Sequence, residues 1–301
     1  MNSLYSLIPV LSIILLGYVT KRVKIFDDYH TKGFELFYFR IAFPCYLLSV
    51  VMSEKFENLL NFRFISAYLI TFAITFIIGF LVHLKNNSLK QKISLSLASS
   101  YSNTTIFLTP ILFFLFDDGI AGVVANLLQV IVIQSSAILA LAFISHRCTI
   151  KMFIKTFSTP VITIPIIGLL INYFGLQNNL KCINETVNIV AKSSSAIALF
   201  ILGLHCTTVK FHSLEQKIKA FKTVVVKNFI HPIVALIVGY YIFKLDGYWL
   251  KSLIIAASSP TALIIYIISH HYKVDDDSIR VGIVVSCFTS IFTIILITLF
   301  L

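Results

Sequence analysis

Ser99-Ser100-Tyr101-Ser102-Asn103-Thr104-Thr105-Ile106-Phe107-Leu108-Thr109-Pro110 is a run of small polar residues ending in proline, set inside a stretch that otherwise reads as a membrane-spanning helix. A second interruption, Ala256-Ala257-Ser258-Ser259-Pro260-Thr261-Ala262, comes late in the chain. Lipid offers no hydrogen-bond partners, so non-helical backbone at membrane depth persists only where protein buries it or where it lines a wet cavity. Paired interruptions in corresponding halves of a chain mark a binding site near the bilayer midplane, as secondary transporters build it.

The surroundings of the two breaks support a membrane setting. The chain has 301 residues, is 58% hydrophobic with a mean hydropathy of +0.92, and carries only 12% charged residues. A soluble protein cannot hide that much apolar surface, whereas a bilayer accepts it. At about 20 apolar residues per crossing, such a chain holds roughly ten helices. The apolar runs are continuous and do not alternate in period two, which excludes a β-barrel. The formal charge of +11 resides mostly in lysines and arginines between the runs, the pattern of cytoplasmic loops, and does not point to nucleic acid. Cys45, Cys148, Cys182, Cys206 and Cys287 are scattered without a CxxC pair and give no sign of an oxidising compartment.

Bounded by charge or turn residues, the runs place helices near 4–20, 33–52, 63–83, 92–115, 119–145, 158–175, 184–208, 221–243, 249–271 and 278–301. The hydrophilic stretch Lys210 to Lys222 reads as a surface segment. Loops after the odd-numbered helices carry 16 lysines and arginines against 5 on the other side. That asymmetry predicts both termini outside and the loop His146 to Phe157 in the cytoplasm. The first run has no basic residue before it and Lys21, Arg22 and Lys24 after it, which suits an uncleaved first helix in a plasma-membrane protein.

An internal repeat emerges from landmark residues. Pro9 and Gly17 match Pro160 and Gly168 at an offset of 151, and Pro110 matches Pro260 at 150. Arg40 plus 151 lands beside Lys192. Offsets this close, 150 to 152, predict an all-α integral membrane fold of two five-helix repeats, residues 1–145 and 158–301, joined by the loop 146–157. Five is odd, so the repeats are inverted.

These landmarks resemble the auxin efflux carrier family of permeases, which includes plant auxin carriers and bacterial malate or malonate permeases. The carrying stretches are Ile8-Pro9 through Gly17-Tyr18, Phe43-Pro44, Ser102-Asn103-Thr104 through Leu108-Thr109-Pro110, Thr159-Pro160 through Gly168-Leu169-Leu170, Leu202-Gly203, and Ala256 through Pro260-Thr261-Ala262. The resemblance implies broken, crossed helices four and nine, similar to bile-acid sodium symporters and sodium/proton antiporters, and an organic anion bound where they cross. The family often has a proline in helix seven where this chain reads Ser193-Ser194-Ser195.

Candidate residues follow from the breaks. A half-helix start leaves unpaired N–H groups and a partial positive charge suited to a carboxylate. Asn103, Thr104, Thr105 and Pro110 at one break, and Ser258, Ser259, Pro260 and Thr261 at the other, are the expected substrate-binding set. The serines also admit a plainer role, letting helices pack closely. Arg40 and Lys192 sit in mid-helix, where a charge costs on the order of 3 kcal/mol. They answer to a bound anion, to an acid such as Glu35 or Glu185, or to the interface by snorkelling. Lys227, near the expected start of helix eight, reads as a snorkelling residue, and His205 and His231 as structural groups. No HExxH, GxSxG or P-loop motif occurs, so no enzyme, cofactor or resident metal is expected. The expected activity is a permease moving a small organic anion, a carboxylate, by alternating access. A sodium-coupled symporter of the bile-acid type and a non-transporting sensor are the alternatives. The coupling ion, proton or sodium, and a homodimeric assembly are left open.

Overall fold

The computed structural model describes residues 2–54, 56–85, 88–145, 158–176, 181–205, 213–274 and 277–300. The expected cytoplasmic loop 146–157, with Cys148, and also Cys206, lies outside them. Among the described residues the regular structure is helical apart from one isolated β-bridge. Six helical stretches are long and apolar enough to cross a bilayer: Asp28–Ser53, Glu57–Val82, Ile120–Ile144, Cys182–His205, Leu214–Ile242 and Asp277–Thr298. Thr104–Phe116 and Pro160–Tyr173 are apolar but shorter. This is a multi-pass membrane architecture.

The chain divides into two compact units, each drawing on both halves of the sequence. The first comprises Met1–Asn61, Thr105–Ile131 and Ile150–Thr207. Its helix Asp28–Phe37 is capped by Asp27, whose carboxylate accepts the His30 backbone N–H at 2.9 Å. That bond holds the Asp27 carboxyl below the usual carboxylate range. Helix Asn2–Arg22 packs on helix Lys181–His205 at two glycines. A Cβ on Gly203 would stand 2.0 Å from the Ile14 carbonyl oxygen, so only glycine allows this approach. Asn172 donates to the carbonyls of Val51 at 2.6 Å and Glu54 at 2.7 Å, satisfying groups that the end of helix Phe43–Ser53 leaves free.

The second unit comprises Phe62–Thr104, Val132–Thr149 and Thr208–Leu301. Helix Phe62–Val82 lies along helix Leu89–Ser100, with Gly79 against Ser96 and Ser99. Leu214–Val225 packs on Asp277–Phe300, and His231–Leu236 on Gly247–Ser258. Here the expected start of helix eight, near 221, is corrected, while the stretch expected at the surface is largely exposed where it is described. From Leu214 onward it is the first turns of a 29-residue helix, Leu214–Ile242. Ser213 caps it by accepting the Gln216 N–H at 3.2 Å, and Lys219 pairs with Glu215 at 2.7 Å.

Candidate functional site

The two interruptions meet inside the second unit. Helix Leu89–Ser100 stops at Tyr101, and helix Gly247–Ser258 stops at Ser259; both residues have extended backbone. Ser102 and Thr261 then pair as an antiparallel bridge. The Asn103 N–H donates to the Pro260 carbonyl at 2.7 Å, and the Ala262 N–H to the Tyr101 carbonyl at 3.4 Å. Each break thus supplies the backbone partners the other lost, as a buried chain without water requires. Pro260 has no N–H to strand, which suits it to the centre of the exchange. Helix Leu263–His271 and the wide i→i+5 turn Thr104–Leu108 restart beyond the bridge.

Side chains of Thr261 and of two further helices lock the bridge. The Thr261 hydroxyl donates to the Ala98 carbonyl at 2.6 Å. Its N–H donates to the Ser286 hydroxyl at 3.1 Å, on the terminal helix Asp277–Phe300. Asn228 donates to the Ser290 hydroxyl at 2.6 Å on that same helix. Lys227 is fully buried, and its Nζ reaches the Ser102 hydroxyl at 2.8 Å, the Ala257 carbonyl at 2.8 Å and His231 Nδ1 at 3.0 Å. A void of about 10 Å³, room for about one water, lies beside His231 and Tyr68.

Of the expected set, Asn103, Thr104, Ser258, Ser259, Pro260 and Thr261 gather at this crossing, and all are buried. The hydroxyls of Ser258 and Ser259 donate to the carbonyls of Ile254 at 2.8 Å and Ile255 at 2.9 Å. Their protons are committed to their own helix and are not offered to a guest. Thr105 belongs to the first unit, where its hydroxyl accepts from Asn126 at 2.7 Å and its carbonyl from the Tyr38 hydroxyl at 2.8 Å. Pro110 is not at the break. It occupies the first turn of helix Thr109–Phe116, where a missing N–H costs nothing.

Arg40 and Lys192 also lie in the first unit. Arg40 is exposed beside Phe37, Phe39 and Ile41, and Glu35 pairs with His205 at 2.5 Å, leaving no ion pair to Arg40 among the described residues. Lys192 is exposed at a cleft of about 400 Å³ that Asn188, Ser195, Glu54, Asp117 and Asp118 also line. The buried hydroxyl of Tyr46 lines that cleft without a hydrogen-bond partner among the described residues.

Sequence reasoning missed Lys227, and the reason is positional. An expected helix start at residue 221 put Lys227 near an end, where a lysine snorkels. The start at Leu214 puts it close to halfway along the helix, where it is fully buried. The legible signal was Lys227 and His231 one helical turn apart, followed by Pro232. Serines of the terminal helix were likewise passed over.

No curated protein matches the chain. A family model described as membrane transport protein matches residues 3–298, nearly its whole length. With broken helices exchanging backbone bonds inside a bundle of apolar spans, the chain belongs to the membrane transport protein family and is a multi-pass membrane transporter.

Proposed function

We propose that this transporter is a plasma-membrane permease moving a small organic anion, a carboxylate, by alternating access. The observation that carries the reading is the crossing itself. Two half-helices restart there, each start bearing a partial positive charge, next to the buried amine of Lys227, which has no carboxylate partner among the described residues. Such a centre favours a negative guest over a positive one. Asn103 and Thr104 sit at the restart of one half-helix and Thr261 precedes the other, so these three carry the polar contacts in this reading. The first unit holds the segments of expected helices one, two, six and seven, and the second the bridge. That partition supports alternating access, as the repeat offset supports two inverted five-helix halves with both termini outside.

The test is thermal stability of the purified protein against a panel of mono- and dicarboxylates and inorganic and organic cations. At least one carboxylate raises the melting temperature, and Asn103→Ala weakens that response several-fold while the protein still inserts. Stabilisation by a cation alone, with every carboxylate inert, removes the anion assignment.

A further inference from the structure

We propose that the cleft of the first unit is a binding site for a basic amino acid, a ligand with two ammonium groups and one carboxylate. The proposal does not rest on the anion reading, because the residues lining the cleft and those of the crossing belong to different units. The cleft encloses about 400 Å³. Sites for small molecules run from about 300 to 1,000 Å³. Helix Phe43–Ser53 ends at Glu54 and helix Thr109–Phe116 at Asp117, and both carboxylates line the cleft together with Asp118. A helix C-terminus carries partial negative charge, so the two ends reinforce the acids. Asn188 and Lys192, one turn apart on helix Lys181–His205, line it as well.

Three features select the guest. Glu54, Asp117 and Lys192 line one cleft, yet none has an ion-pair partner among the described residues. Charges of both signs are thus left for a guest that carries both. Next, no three acids, histidines or cysteines among the described residues converge as metal ligands do. Separate ammonium groups therefore suit these acids better than one metal ion, which needs its oxygens gathered around a point. Last, the Tyr46 hydroxyl is buried at the cleft without a hydrogen-bond partner among the described residues. It stands beside the acidic turn, since a Cβ on Gly119 would come 1.8 Å from it. A hydroxyl held unpaired out of water is costly, and an ammonium guest supplies the donor it lacks. A bare polyamine would set like charge against Lys192, and a simple carboxylate would meet three acids. A basic amino acid answers both signs: its ammonium groups meet the helix-end acids and Tyr46, and its carboxylate meets Lys192.

The experiment is calorimetric titration of the full-length protein in nanodiscs with L-lysine, with cadaverine, which lacks the carboxylate, and with L-norleucine, which lacks the second ammonium. L-lysine binds with a Kd below about 1 mM, and the other two bind several-fold more weakly. Lys192→Gln weakens L-lysine by about five-fold, the upper range for one exposed ion pair, and does not weaken cadaverine. Asp117→Asn weakens both ligands; Asn tolerates the left-handed backbone at this position, where φ is 52°. Tyr46→Phe weakens L-lysine several-fold while the ligand-free protein melts as the wild type does. Absence of L-lysine binding overturns the proposal, as does binding that all three variants leave unchanged. A Lys192→Gln protein that loses cadaverine as much as L-lysine overturns it too. Both Lys192 and Asp117 are exposed, so these variants fold, and they decide the matter if Tyr46→Phe does not. The anion reading is judged on carboxylates without an amine, and its failure leaves these titrations standing.

Discussion

Threonine and serine look interchangeable in the two breaks, yet their hydroxyls do different work. Ser96, Ser99, Ser100, Ser258 and Ser259 each donate to the carbonyl four residues earlier in their own helix. Such back-bonding adds little beyond the helix itself. Thr261 donates instead across the crossing to Ala98, 163 residues away, from a buried site. Thr261→Val keeps the shape and strands that carbonyl, so it lowers stability by about 1–3 kcal/mol. Ser258→Ala stays within about 0.5 kcal/mol. Denaturant unfolding of both variants separates them, and equal losses would make the cross-chain bond dispensable. A reader of the sequence sees the small polar residues and infers a break, because their composition contrasts with the apolar flanks. Which hydroxyl reaches across is set by contacts between segments more than a hundred residues apart, and no local pattern encodes that. Lys227 and Ser102, separated by 125 residues, are the same case.

At the scale of helices, hydropathy found the apolar helices, six of them long enough to cross a bilayer among the described residues, and placed their ends less well. The start of Leu214–Ile242 was displaced because Glu215, Lys217, Lys219 and Lys222 dilute the apolar signal of its first turns. Those charges pair along the helix or face outward, while Ala220, Thr223 and Val224 are buried. Proline misled in a similar way. Pro110 seemed to mark the first break, but the interruption is made by Tyr101 to Asn103, and Pro110 opens the helix that follows. The two glycines of the first unit show what hydropathy does register poorly, a close approach of backbones. Gly17 and Gly203 let helices Asn2–Arg22 and Lys181–His205 come within van der Waals range, the arrangement that holds membrane helices where no hydrophobic force separates lipid from protein. Gly203→Val drives a branched side chain into the Ile14 carbonyl and forces the helices apart. The expected cost is about 1–3 kcal/mol, read as a lower melting temperature with far-ultraviolet helicity retained. An unchanged melting temperature would mean that the two helices are free to separate.

At the scale of the whole chain, the charge asymmetry and the exposed cysteine give one prediction that needs no substrate. Sixteen basic residues follow the odd-numbered expected helices and five the even-numbered ones, and such bias fixes orientation through the short loops. In that orientation the start of helix Lys181–His205 faces outside. Cys182 stands there, exposed and with a free thiol, whereas Cys287 is buried in the last helix. Exposure decides which thiol reacts, since the reagent must reach the thiolate. A variant retaining Cys182 as its only cysteine is therefore labelled by a membrane-impermeant maleimide added to intact cells, and prior treatment with it blocks later labelling after permeabilisation. A variant retaining only Cys287 stays unlabelled in both conditions while the protein is folded. Labelling of Cys182 only after permeabilisation would invert the molecule in the bilayer. It would place the terminal helix ends inside and require the loop 146–157, with its basic residues, to have crossed the membrane against the charge rule.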